Sequence, residues 1–218
     1  MSELIKTLLR PSYRWAERQA MAPYRWVRGM VGRRRLARLP RGKPYRIVVG
    51  ADGVYEPGWI PTDIQNLNLL KPEMWARYFD GNSLDRILAE HVWEHLTEAE
   101  GAAAARLCRA YLRPGGVLRV AVPDGLHPDP DYVRWVKPGE RGLGPKGHKS
   151  LYTYATLREL FEGAGFTVEL LEYFDEAGDF HAANWDPADG LIRRSRRFDP
   201  RNADGGLRFT SIVLDARK

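Results

Sequence analysis

Only one of the 218 residues is cysteine, Cys108. A lone thiol cannot close an internal disulfide, which excludes a disulfide-stapled scaffold and fits a reducing compartment. Within the alanine-rich run GAAAARLCRAYL it reads as a small core side chain rather than a nucleophile. No apolar run approaches the ~20 residues that a membrane-spanning helix needs. The start, MSELIKTLLRPSYRW, has neither a secretory apolar core nor a cleavage site. Together these absences predict a cytoplasmic protein. Acids are scarce at the start: through residue 46, 13 Lys+Arg face only Glu3 and Glu17. The remainder holds more acids than bases, so the net charge of +6 belongs to the leader and not to the domain behind it.

The length and the 44% apolar content fit one globular domain with an appendage. The expected division is a basic, helical leader over residues 1–44 and a domain over 45–218. Pro11, Pro23 and Pro40 cut the leader into short helical pieces. Its "YRW" repeats at 13–15 and 24–26, a spacing that returns Trp15 and Trp26 to nearly one helix face. Arginines beside tryptophans suit three situations. They can contact anionic lipid from the inner face of a membrane, lie on nucleic-acid phosphate, or pack on the domain with the charges solvated. The preferred expectation is a packed leader with some peripheral membrane contact; nucleic acid ranks below it.

From Tyr45 the pattern changes. YRIVVG (45–50), GWIPTDI (58–64), LDRILAEH (84–91) and GVLRVAVPD (116–124) read as strands, as do TVELLEYF (167–174) and LRFTSIVLDA (207–216). Between them, 97–112 reads as a helix opened by a Thr97/Glu100 capping box and stopped at Pro114-Gly115-Gly116. Residues 154–166 read as a second helix. Alternating strands and helices predict an open, mostly parallel α/β sheet. Two successive final strands separated by an insert, 175–206, predict an antiparallel edge.

In such sheets ligands sit at the C-terminal strand ends. These ends carry Gly50-Ala51-Asp52-Gly53, then Asp63, then Glu90-His91, then Pro123-Asp124-Gly125. Glycines after the first strand allow a cofactor to approach the backbone, and an acid ending the second can accept hydrogen bonds from a ribose diol. Too few residues join the first two strands for a crossover helix, which argues against pyrophosphate cofactors such as NAD or ATP. His91-Val92-Trp93-Glu94-His95 spells H-x-x-E-H, the zinc-ligand order of one metallopeptidase class. Such a site needs both histidines on one continuous helix. Here a strand runs almost into His91 and the helix waits for Thr97, so no metal is expected, and Glu94 and His95 are assigned to fastening the turn.

The order IVVGADG…PGWIPTDI…LDRILAEHVWEHL…YLRPGGVLRVAVPD…LRELFEGAGF resembles the class I S-adenosylmethionine (SAM)-dependent methyltransferases. It is most similar to a bacterial group with a shortened first loop and a Gly-Trp before the second strand. The resemblance runs from Tyr45 to Lys218, through AVPDGLHPDPDY, HKSLYTY and LLEYFDE, and leaves out the leader. It implies a Rossmann-like fold and SAM as cofactor. It places Gly50, Ala51 and Gly53 at the methionine part, Asp63 on the ribose, and Asn68 and Leu69 at the adenine. Glu90 and His91 fall beside the sulfonium and the acceptor. If the acceptor needs a base, the candidates are His91, Asp124, His127 and His148. His148 sits in a glycine-rich stretch that has the composition of a lid. His181, Trp185 and Asp186 lie on the insert, which is expected to cover the acceptor. The run RRSRRFDPR (193–201) is either a solvated loop or an anion pocket. The leading expectation is methyl transfer to a small-molecule or saccharide-type acceptor. A non-catalytic binding module, a nucleic-acid methyltransferase and a metallohydrolase are the alternatives.

Overall fold

The computed structural model describes residues 23–24, 26–40, 42–52, 56–139 and 147–218. Seven strands make one sheet: β1 (Tyr45–Val49), β2 (Ile60–Pro61), β3 (Leu84–Glu90), β4 (Leu112–Pro123), β5 (Thr167–Phe174), β6 (Phe180–Ala182) and β7 (Ser211–Arg217). The helices among the described residues are α1 (residues 26–37), α2 (Pro72–Tyr78), α3 (Glu98–Tyr111), α4 (Pro130–Val136) and α5 (Tyr154–Gly163). The strand order is β2-β1-β3-β4-β7-β5-β6. β2, β1, β3 and β4 run parallel, while β7 is antiparallel to both β4 and β5. This is a Rossmann-like sheet, as expected.

The last strand is antiparallel as expected, but it does not lie at an edge. Ser211 to Ala216 are all buried, and a strand buried on both faces belongs inside a sheet. The edge is β6, a three-residue strand with exposed His181 and Ala182. The α3 stop also moves. The helix ends at Tyr111, and Leu112 is already extended, so Pro114-Gly115-Gly116 falls within β4.

Alternation sorts the side chains onto two faces. Ile47, Val49, Ile87, Ala89, Leu118, Val120, Ile212 and Leu214 face a core shared with Trp75 of α2, Ala104 and Cys108 of α3, and Leu157 and Phe161 of α5. Val48, Leu88, Ala121 and Val213 face the other way and meet Trp59, Ile192 and Trp185. On that second face the covering comes from the insert. The short β1–β2 link is one reason, because the described part of it contains no helix.

One charged residue is built into the second face. Arg119 of β4 is 2% exposed and lies directly opposite Asp215 of β7. Its Nε and Nη2 donate to the two Asp215 carboxylate oxygens at 2.7 and 2.8 Å. Its Nη1 donates to the carbonyls of Asp186 and Gly190 at 2.7 and 2.9 Å, and its guanidinium lies 4.9 Å from the Trp185 ring centre. The side chain therefore fastens the insert to the sheet.

Candidate active site

The parallel strands deliver their C-terminal ends to one side, where a cavity of about 1290 Å³ opens. Its walls include Gly50 and Ala51 after β1, Asp63 after β2, Glu90 and His91 at the end of β3, and Pro123 at the end of β4. Asn68 and Leu69 line it as well, and so does His148. The volume exceeds the roughly 300–1,000 Å³ of a pocket for one drug-sized ligand, which leaves space for a donor and an acceptor together.

Local structure explains each position. Gly50 has φ +64, and a Cβ there would meet Val92 Cγ2 at 2.7 Å, so both the backbone and the packing require glycine. His91 also has a positive φ, 54°, unusual for a side chain of its size. The chain leaves β3 there and enters a single 3₁₀ turn, Trp93–His95, before Thr97 caps α3. Trp93 anchors the turn: it is fully buried, donates to the Gly101 carbonyl and packs at a tilt against the Phe161 ring. Backbone strain held by such packing is a mark of functional positions.

Around His91 lies a set of polar groups that the sequence scatters over 120 residues. His91 Nε2 is 3.0 Å from Ser211 Oγ at the start of β7. His91 Nδ1 is 3.2 Å from Glu94 Oε1, a charge contact that falls short of hydrogen-bond geometry. Glu94 is 1% exposed. Burial, the largest single influence, pushes its carboxyl up, but the His91 and His95 contacts and a backbone amide together hold it below the usual carboxylate range. The backbone carbonyl of Glu94 also ties the turn to a distant segment, accepting from the Lys149 and Ser150 amides at 2.7 and 3.2 Å, while its side chain spans the turn to His91.

At the other end of the cavity Asp63 is partly buried, and Arg28 of α1 donates to its Oδ2 at 3.0 Å. Burial raises the Asp63 carboxyl while the Arg28 charge opposes the rise. Asn68 is committed locally: its Oδ1 accepts from Leu70 N and its carbonyl accepts from Trp75 Nε1. Glu90 Oε1 accepts from Arg194 N at 2.6 Å, tying the insert to the end of β3.

Several expected residues go elsewhere. Asp124 is fully buried, with Oδ1 and Oδ2 accepting from the Leu126 and Phe174 amides, and it does not line the cavity. His127 accepts from Asp129 N at Nδ1 and donates from Nε2 to the Leu207 carbonyl, so both ring nitrogens are used inside the fold. Gly53, and residues 140–146 of the stretch read as a lid, lie outside the described residues. His181 pairs with Asp175, Trp185 Nε1 with Glu172, and Asp186 with Ala188 N; none reaches the cavity. The insert contributes Arg193, Arg194 and Arg201 instead. Of these, Arg193 pairs with Glu56 and Arg201 with Asp199. Among the described residues Arg194 makes no close ion pair, although its charge lowers the nearby Asp199 carboxyl. Sequence reasoning missed Arg28, Ser211 and the Glu94 carboxylate. Only Glu94 carried a signal, its place between two histidines.

A family model described as a methyltransferase domain matches residues 23–171, more than half of the chain. The chain belongs to this methyltransferase family. Solved structures similar to it include a SAM-dependent methyltransferase from Archaeoglobus fulgidus, at 14% identity over 94% of this chain and 100% of that one, with a TM-score of 0.44. Another is a SAM-dependent methyltransferase of Thermotoga maritima, described as a possible histamine N-methyltransferase, at 13% identity over 94% and 99%, TM-score 0.48. A third is the Burkholderia thailandensis 1,6-didemethyltoxoflavin-N1-methyltransferase with bound S-adenosylhomocysteine, at 17% identity over 99% and 85%, TM-score 0.44. No curated protein matches the chain. No helix among the described residues is long and apolar enough to cross a membrane.

Proposed function

We propose that this methyltransferase-family chain moves a methyl group from SAM to a small-molecule or saccharide-type acceptor. One observation carries the reading: Gly50, Ala51, Asp63, Asn68, Leu69, Glu90 and His91 come from four separate segments and line one cavity at the strand ends. The cavity suits the cofactor. Gly50 leaves the backbone bare, Asp63 offers a carboxylate to hydroxyl donors, and Glu90 places a negative charge at the end of β3 that complements a sulfonium.

When bound, SAM supplies an electrophilic methyl group for in-line displacement. The chain's own residues align and shield the reactants. Gly50 and Ala51 accommodate the methionine part, Asp63 receives the ribose hydroxyls, and Asn68 and Leu69 frame the base. Glu90 holds Arg194 over the cavity by its backbone amide. His91 stands nearest the acceptor, where Nε2 receives its proton beside Ser211 Oγ. The burial of Asp124 and His127 supports a structural role for both. Arg194 supports an acceptor that carries an anionic group.

Calorimetric titration with SAM and with S-adenosylhomocysteine tests the reading, and both should bind. Absence of binding by either at millimolar concentration would overturn it and favour a non-catalytic module. On α1, Trp26, Val27 and Val31 are exposed, and Val31 shares a surface groove with Arg34, Arg35 and Arg38. This supports a peripheral contact of residues 1–44 with an anionic membrane face, and sedimentation with anionic vesicles tests it. Strongly salt-dependent binding of RNA or DNA would instead favour a nucleic-acid acceptor.

A further inference from the structure

We infer that Glu94, His95 and His148 form a site for one divalent first-row transition ion, with zinc as the representative, on the His91 side of the cavity. One oxygen or nitrogen from each of these three side chains lies within 4.8 Å of the other two, and all three residues line the cavity. The histidine pair that the H-x-x-E-H spelling suggests is not the one gathered. Trp93–His95 is a single 3₁₀ turn, and the third ligand comes from a segment more than 50 residues away.

Three further observations point to a cation. First, neither Glu94 carboxylate oxygen has a hydrogen-bond partner, although the side chain is almost completely buried. His91 Nδ1, 3.2 Å from Oε1, is the carboxylate's near neighbour, but neither oxygen receives a well-formed hydrogen bond, and a metal ion would satisfy both the charge and the lone pairs. Second, among the described residues, both histidines keep one ring nitrogen free of hydrogen bonds. His148 Nδ1 is 2.6 Å from the Val136 carbonyl, and His95 Nδ1 is 3.1 Å from the Gly147 carbonyl. A carbonyl only accepts, so each ring carries its proton on Nδ1 and, when neutral, presents a lone pair on Nε2. A backbone carbonyl holding the remote ring N–H is the usual support for a metal-bound histidine. His148 Nε2 lies 4.0 Å from Glu94 Oε1. Third, the segments are locked together. The Glu94 carbonyl accepts from the Lys149 and Ser150 amides, and Ser150 Oγ donates to the Leu96 carbonyl at 2.8 Å.

Two imidazoles and one carboxylate favour zinc, cobalt or manganese over calcium or magnesium, which prefer all-oxygen shells. Ligand atoms around tetrahedral zinc stand about 3.3 Å apart, so the side chains need to close by about an ångström. Three protein ligands leave a position for water or for an acceptor oxygen, the arrangement of an open rather than a structural site.

The full-length chain, with any histidine tag removed and stripped by a chelator, is titrated with cobalt(II) in the absence of SAM. The expected result is one equivalent bound with visible d–d absorption, lost on adding zinc. His95→Ala and His148→Ala should each weaken cobalt binding at least tenfold, and Glu94→Gln likewise. His95 is exposed, so His95→Ala keeps the test decisive if the buried Glu94→Gln variant does not fold. Failure of cobalt at 100-fold molar excess to bind, or binding that all folded variants retain, overturns the proposal. Neither result bears on SAM, which is measured separately.

Discussion

Arg119→Met would break a buried contact that joins the insert to the sheet. It removes both hydrogen bonds to Asp215 and leaves that carboxylate, 8% exposed, without its cation. Breaking a buried pair from one side costs about 3–5 kcal/mol. For a chain of this size each kcal/mol lowers Tm by roughly 2–4 °C, so the variant should melt about 6–20 °C lower. The double variant Arg119→Met/Asp215→Leu removes both charges and should regain most of the loss, because a buried pair and an apolar replacement are close in energy. Neither variant can hold the Asp186 and Gly190 carbonyls, so both should be cut faster near those residues in limited proteolysis. Melting by circular dichroism gives the first readout and mass spectrometry of the fragments the second. A single variant within about 2 °C of wild type, or a double variant no better than the single, refutes this account of how the insert is attached.

Burial pushes the Asp124 carboxyl up to about 6, above its ordinary value near 3.8. Between these values the folded state binds more protons than the unfolded state. The group therefore withdraws up to about 3 kcal/mol of stability as pH rises from 4 to 7. Asp124→Asn does not titrate, so its stability deficit against wild type should narrow over that interval in urea denaturation; a constant deficit contradicts the assignment. Thr97→Ala removes the α3 cap, whose Oγ1 accepts from Glu100 N, and should cost about 1 kcal/mol in the same assay. Cys108 is fully buried and its thiol is pushed far up. It should resist Ellman's reagent in the native protein and react on unfolding, and rapid native labelling would refute its burial.

The strand ends were legible because each combines a short apolar run with a glycine or an acid, signals that do not depend on partners. The capping box of α3 was legible for the same reason, since Thr97 and Glu100 satisfy each other locally. The position of β7 was not. Its insertion between β4 and β5 is set by pairings such as Val117 with Arg217, and no local pattern encodes them. Helix α4 was missed because it buries no side chain, so it has no apolar stripe, although Asp129 caps it and Pro130 starts it. Asp124 and His127 were placed at the cavity because they follow β4 in the chain. The turn after Pro123 instead carries them inward, where backbone amides and carbonyls use their polar atoms. Ser211 and Glu94 meet His91, and His148 meets Glu94; the partners of Ser211 and His148 lie more than 50 residues away, which sequence spacing cannot reveal.

The central claim is that the strand-end cavity holds SAM with Asp63 on the ribose. It is tested by comparing the affinity of S-adenosylhomocysteine with that of its analogue lacking the ribose diol, on the wild type and on Asp63→Asn. Hydrogen bonds to a charged group are worth about 1.5–3 kcal/mol, so loss of the diol should weaken wild-type binding by roughly 10- to 150-fold. Asp63→Asn should bind both compounds with nearly equal affinity. An equal loss in both proteins, or no binding of S-adenosylhomocysteine to the wild type, would contradict the assignment.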